Sequence, residues 1–215
     1  MTKRTYNQTC SVAGALDVLG ERWTLLLIRE LLTGPKRYND LLDALPGIGT
    51  NLLADRLKSL SNDGLITQSK LPPPAAASVY ELTEAGERLE PVLLALVRWG
   101  IRYPRKVKKS ATYRATWTAV AMRAFFRPER ARGVRLSCEF RVGDEVLHAV
   151  VRDGELRSGA GSAPDPDFVV TTTPEVFRRF ESGDDPADLE KTGEWALSGT
   201  AAALKKFTRL FELAA

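Results

Sequence analysis

The stretch from Asn39 to Gly64 constrains this chain more than any other. Asn39 is a good helix cap and Asp40 sits where negative charge favours a first turn. Leu41, Leu42 and Leu45 give the following segment one apolar face, and Pro46-Gly47-Ile48-Gly49 is a turn. Leu53, Leu57 and Leu60 then recur at helical spacing over about Thr50–Asn62, and Asp63-Gly64 ends the run. A short helix, a glycine-containing turn and a longer second helix make a helix-turn-helix pattern.

The flanks fit that unit. Val12, Leu16 and Leu19 predict an amphipathic helix ending at Gly20, and Trp23–Leu32 is apolar nearly all round, as in a central buried helix. After the motif, Leu65–Leu71 alternates like a strand, PPPAAAS interrupts it, and Val79–Leu82 resumes it, which predicts a two-stranded wing. Thr83 opens a long helix to about Tyr103. Its Leu89, Val92, Leu93, Leu96 and Val97 form a stripe wide for so small a domain, which points to pairing with a second copy.

The basic, patternless run Arg105–Ser110 marks a boundary between domains at 1–104 and 105–215. The second half reads as a helix over about Thr112–Phe126, three strands separated by Gly143-Asp144 and Asp153-Gly154, and a strand FVVTT. Helices at Pro174–Glu181 and Pro186–Lys191 follow, then a short segment at Trp195–Ser198 and a helix Thr200–Leu213. The fold class is α+β, a winged helix-turn-helix followed by an α+β domain.

A recognition helix keeps one face in the core and offers the other to the major groove. With Leu53, Leu57 and Leu60 inward, a step of about 100° per residue places Asn51, Asp55 and Lys58 opposite, flanked by Ala54 and Ser59. Asn51 suits an adenine edge, Asp55 a cytosine amine and Ala54 a thymine methyl, whereas Lys58 suits either a base or a phosphate. Thr50 stands at the helix start beside Gly49, and either begins it. Arg37, Tyr38 and Asn39 open the first helix of the motif where phosphates are anchored, and Lys70 brackets the wing loop. Arg56 is equally suited to a phosphate or to an acid of its own chain.

Composition excludes other classes. With one histidine, two distant cysteines and a formal net charge of +4, neither a metal site nor a cofactor is expected. Gly154–Gly161 is glycine-rich but no helix follows at dinucleotide spacing. Asp184-Asp185 falls in a turn before Pro186, and His148 lies in a strand, so an enzyme is not expected. No apolar run approaches about 18 residues, and the opening lacks a signal-peptide core, so a cytoplasmic protein without membrane insertion is expected.

Three segments, CSVAGALDVLGERWTLLLIRELLTGPKRYNDLLDALPGI, LADRLKSLSNDGLI and YELTEAGERLEPVLLALVRWG, resemble the HxlR family of bacterial winged-helix regulators over about Cys10–Gly100. The resemblance implies a homodimer formed by the first and last helices of the domain, with Leu16 joining the stripe, and double-stranded operator DNA as partner. It also implies a redox- or electrophile-sensing role for Cys10. This chain departs from the family where Gly49 stands for a common serine and Asn51 for a common basic residue. PDFVVTTTPEVFRRFESGDDPADLEKTGEWALSGTAAALKKFTRLFEL is similar to sterol-carrier-protein-like domains. That similarity implies an apolar pocket for a small molecule or lipid, with Trp117, Phe168, Trp195, Phe207 and Phe211 as wall candidates. The competing expectation is a lipid carrier or scaffold that uses the helix-turn-helix only to dimerise.

Overall fold

Leucine spacing decides where the first helices form, and tertiary contacts decide where they stop. The computed structural model describes residues 5–72, 76–103 and 111–212. The chain divides into two compact units, Met1–Leu93 and Leu94–Ala215. The boundary expected after Pro104 falls outside the described residues.

The first unit contains α1 (Ser11–Leu19), α2 (Thr24–Leu32), α3 (Tyr38–Ala44), α4 (Thr50–Asn62), β1 (Ile66–Lys70), β2 (Ser78–Leu82), α5 (Glu84–Glu87) and the start of α6 (Glu90–Ile101). Leu27, Ile28, Leu41, Leu45, Leu53, Leu57, Leu60, Ile66 and Val79 form its buried centre. α2 is not sealed all round, because Leu26 is 40% exposed on its open side. β1 and β2 pair antiparallel, Ile66 opposite Leu82 and Lys70 opposite Ser78.

Two expectations need correction. Asn39 does not cap α3. The helix begins at Tyr38, and the Asp40 carboxylate accepts the backbone N–H of Arg37 at 2.9 Å, so the cap lies two residues earlier. The long helix from Thr83 is two helices. Pro91 has no N–H to give the Glu87 carbonyl four residues back, and its ring crowds that carbonyl. The chain makes tighter bonds instead, Leu89 N–H to the Gly86 carbonyl and Val92 N–H to the Leu89 carbonyl, both at 3.0 Å.

The first of those helices is bound tightly to the strand entry. The Thr83 hydroxyl donates to the Gly64 carbonyl at 2.6 Å, and the Thr83 N–H to the Leu65 carbonyl at 3.0 Å. A Cβ at Gly86 would stand 2.1 Å from the Leu65 oxygen, so only glycine fits. Gly86→Ala should therefore cost about 1–3 kcal/mol of stability, as overpacking of a closed site does. Urea denaturation followed by circular dichroism checks this; an unchanged midpoint would contradict the close approach.

The second unit is built on β3 (Arg135–Val142), β4 (Glu145–Arg152), β5 (Glu155–Ala160), β6 (Phe168–Thr172) and β7 (Trp195–Gly199), in the order β5-β4-β3-β6-β7. Only the β3–β6 pair is parallel. Alternate residues Leu136, Cys138, Phe140 and Val142 of β3, with Leu147, Ala149 and Val151 of β4 and Phe168 and Val170 of β6, turn into one core. α7 (Thr118–Phe125), α8 (Pro174–Glu181), α9 (Pro186–Glu190) and α10 (Ala201–Thr208) complete the unit.

Both outer helices are shorter than their apolar patterns suggest. The segment expected to be helical from Thr112 starts as a tight turn at Ala115, whose N–H is taken by the Glu145 carboxylate at 2.5 Å. The last helix stops at Thr208 rather than Leu213. Beyond it the chain pairs with the end of α7, Arg127 N–H to the Leu210 carbonyl at 2.8 Å and Glu212 N–H to the Phe125 carbonyl at 2.9 Å.

Candidate nucleic-acid interface

α4 divides as its sequence requires. Leu53, Leu57 and Leu60 are at most 2% exposed, while Thr50, Asn51, Ala54, Asp55 and Lys58 are exposed and Ser59 is half-buried. The polar stripe is thus presented on a rod whose other face is locked in the core. Gly49 precedes the helix with extended backbone and no side-chain cap, and Thr50 is its first residue. N–H groups at such a start suit a phosphate.

Neighbouring side chains fix the rod in place. The Tyr38 hydroxyl donates to the Thr50 carbonyl at 2.8 Å, so half-buried Tyr38 braces the start of α4. Arg56 takes the intramolecular alternative: its Nη2 lies 2.6 Å from the Glu21 carboxylate and its Nε donates to the Arg22 carbonyl at 3.2 Å. That corrects its place among the DNA contacts, since its guanidinium ties α4 to the turn before α2. In that turn Trp23 holds a left-handed φ of 79°, with the Arg22 guanidinium 5.1 Å from its ring centre.

Arg37, Asn39 and Lys70 are exposed, the first two at the start of α3 and the last at the end of β1. Residues 73–75 of the wing loop lie outside the described residues. The sequence reading missed one element here. Lys36 and Tyr80 exchange backbone hydrogen bonds at 3.0 and 2.8 Å, which places the approach to α3 beside the wing. Gly34-Pro35 reads as a helix stop, and nothing local signals the bridge that follows.

The apolar stripe expected at an interface is only partly free. Leu93 is buried within the fold, and Leu89 and Val97 are half-buried. Val92 and Leu96 of α6 are each 45% exposed, and Val12 and Leu16 of α1 are open as well.

Cys10 is exposed directly before α1. The backbone N–H groups of Ala13 and Val12, at the start of α1, hold its thiol below the ordinary range. Cys138 in β3 is the opposite case, since burial pushes its thiol far up and it donates to the Ala149 carbonyl at 3.2 Å. In the native protein iodoacetamide should therefore label Cys10 and spare Cys138, with the Cys10 rate rising at lower pH than for a free thiol. Mass spectrometry with and without denaturant checks this; equal native labelling of both would contradict it.

The aromatic residues expected to wall a pocket are brought together as core. Phe168 and Phe207 have ring centres 5.8 Å apart and pack on Phe140 at 5.8 and 5.6 Å. Phe211 stacks on Phe207 at 4.8 Å, and Trp195 on Phe180 at 5.1 Å. Trp117 is half-buried. The Trp195 indole N–H is buried and has no hydrogen-bond partner among the described residues. Among the described residues no group of His, Cys, Asp and Glu is arranged to hold a metal ion, and no helix is long and apolar enough to cross a membrane.

Comparison with known proteins matches residues 18–108 to the HxlR-like helix-turn-helix family. The HTH-type transcriptional regulator sll1512 of Synechocystis is 37% identical over 91 residues, which is 42% of this chain and 67% of that protein. YdeP of Bacillus subtilis, another HTH-type regulator, is 36% identical over 102 residues, 46% of this chain and 78% of its own length. The regulator YodB of the same bacterium is 33% identical over 98 residues, covering 45% of this chain and 88% of YodB.

Proposed function

The chain belongs to the HxlR-like helix-turn-helix family and is a DNA-binding regulator, and we propose that it reads a palindromic operator as a homodimer through the outer face of α4. One observation carries this reading: the leucine face of α4 is sealed while Asn51, Ala54, Asp55 and Lys58 stand open on the opposite side. Asn51 pairs with an adenine edge, Asp55 accepts from a cytosine amine, and Ala54 meets a thymine methyl. Lys58, Arg37, Asn39 and Lys70 engage phosphates, which set register without selecting sequence. Such a partner supports a cytoplasmic place of work and a binding rather than a catalytic role.

The exposed Val12 and Leu16 of α1 and Val92 and Leu96 of α6 support pairing of two copies. A two-fold pair sets the two reading helices about one DNA turn, roughly 34–36 Å, apart. Cys10, exposed and with its thiol poised toward the thiolate, supports sensing of oxidants or electrophiles. The second unit acts as the effector domain, on a sterol-carrier-like plan that takes an apolar molecule. The likeness of its sequence from FVVTT through the last helix to sterol-carrier-like domains is what supports that role.

Two experiments test the reading. On an operator selected from random duplexes, Asn51→Ala with Asp55→Ala should lose about 1–3 kcal/mol of base discrimination per contact, while circular dichroism and mass in solution stay unchanged. Fluorescence anisotropy measures this, and unchanged operator preference would contradict the groove assignment. Val92→Glu with Leu96→Glu should yield a monomer by analytical ultracentrifugation that no longer favours a palindrome over a half-site; a persistent dimer would contradict the interface.

A further inference from the structure

The outer face of α10 faces a cavity that neither the DNA reading nor the aromatic core explains. Ala202, Lys205, Lys206 and Arg209 recur at i, i+3, i+4 and i+7 and so line one side of the helix, while Leu204 and Phe207 hold the other in the core. Arg130 and Val134, from the chain between α7 and β3, close the opposite wall around a volume of about 510 Å³. That size falls within the range of small-molecule sites. Val134 and Leu210 supply an apolar floor, and the cations Arg130, Lys205, Lys206 and Arg209 supply the rim.

No carboxylate among the described residues forms an ion pair with any of these cations. The acid nearest along the chain beyond α10, Glu212, is paired with Arg127. Cations in the last turn of a helix also favour its dipole, which accounts for Lys205 and Lys206. Arg130 comes from 79 residues away along the chain and sits at the carbonyls that follow the end of α10, which suits the same dipole. Its Nη1 donates to the Arg209 carbonyl at 3.3 Å and to the Phe211 carbonyl at 3.0 Å. An arginine fixed before any ligand arrives loses little freedom on binding, which favours capture of an oxyanion.

We propose that this cleft binds an amphipathic anion, a carboxylate or phosphate head group held by Arg130, Lys205, Lys206 and Arg209 with its apolar body on Val134 and Leu210. The site opens on the outer side of α10, its floor residues Val134 and Leu210 being the edge of the core that holds Phe140, Phe168 and Phe207, and it does not depend on α4 entering DNA. It gives the second unit a charged recognition element that the aromatic pattern alone does not reveal.

Isothermal titration of the full chain with decanoate, decyl phosphate and decanol tests the proposal. At least one anion should bind about tenfold or more tighter than decanol, and comparison of the two names the head group. Lys205→Gln with Arg209→Gln changes only exposed side chains, should keep the native circular dichroism, and should abolish that preference; Lys205→Arg should retain it. Equal binding of decanol would overturn the proposal, as would unchanged anion binding in the double variant. So would failure of both anions to bind, whether or not the double variant weakens binding to arbitrary duplex DNA or to phosphatidylglycerol vesicles; weakened binding there would mark the rim as a macromolecular surface.

Discussion

The leucine ridge of α4 is the constraint on which the first unit depends. Leu53, Leu57 and Leu60 must be buried, and burying side chains of that size favours folding by about 1.5–3 kcal/mol each. A helix with one face committed has its rotation fixed, so the opposite face is fixed as well. The burial that stabilises the fold also aims Asn51 and Asp55 outward. The Tyr38 and Arg56 bonds add positional control at the start and flank of the helix.

The second unit solves a different problem with the same economy. Its sheet buries alternate residues of β3, β4 and β6, and its phenylalanines fill that core ring against ring. Filling leaves little room among those rings. An open volume lies on the outer side of α10, where short aliphatic side chains border long cationic ones. α10 is thus apolar inward, through Leu204 and Phe207, and basic outward.

Much of this was legible in the sequence because period determines face. The bounds of α4, the two wing strands and the three hairpin strands of the second unit follow from 3.6- and 2-residue spacing and from their glycine turns. Most of what escaped depends on partners distant along the chain. Glu21 took Arg56 from 35 residues away, settling a choice the sequence left open, whereas the cap of α3 was lost to a local contact, the Asp40 carboxylate on the Arg37 N–H three residues back. Lys36 joined Tyr80 across the wing, and Leu210 left the helical pattern to pair with Arg127. Pro91 was visible, yet the apolar stripe around it suggested an unbroken helix. The aromatic residues of the second unit carried no signal separating wall from core, because both demand the same side chains.

A crystal structure of the full chain on a selected operator tests the central claim most directly. Asn51 and Asp55 should lie within hydrogen-bonding distance, about 2.7–3.2 Å, of base edges in the major groove, with Leu53 and Leu57 still turned away from the duplex. A complex in which α4 lies outside the groove, with another element contacting the bases, would contradict the account.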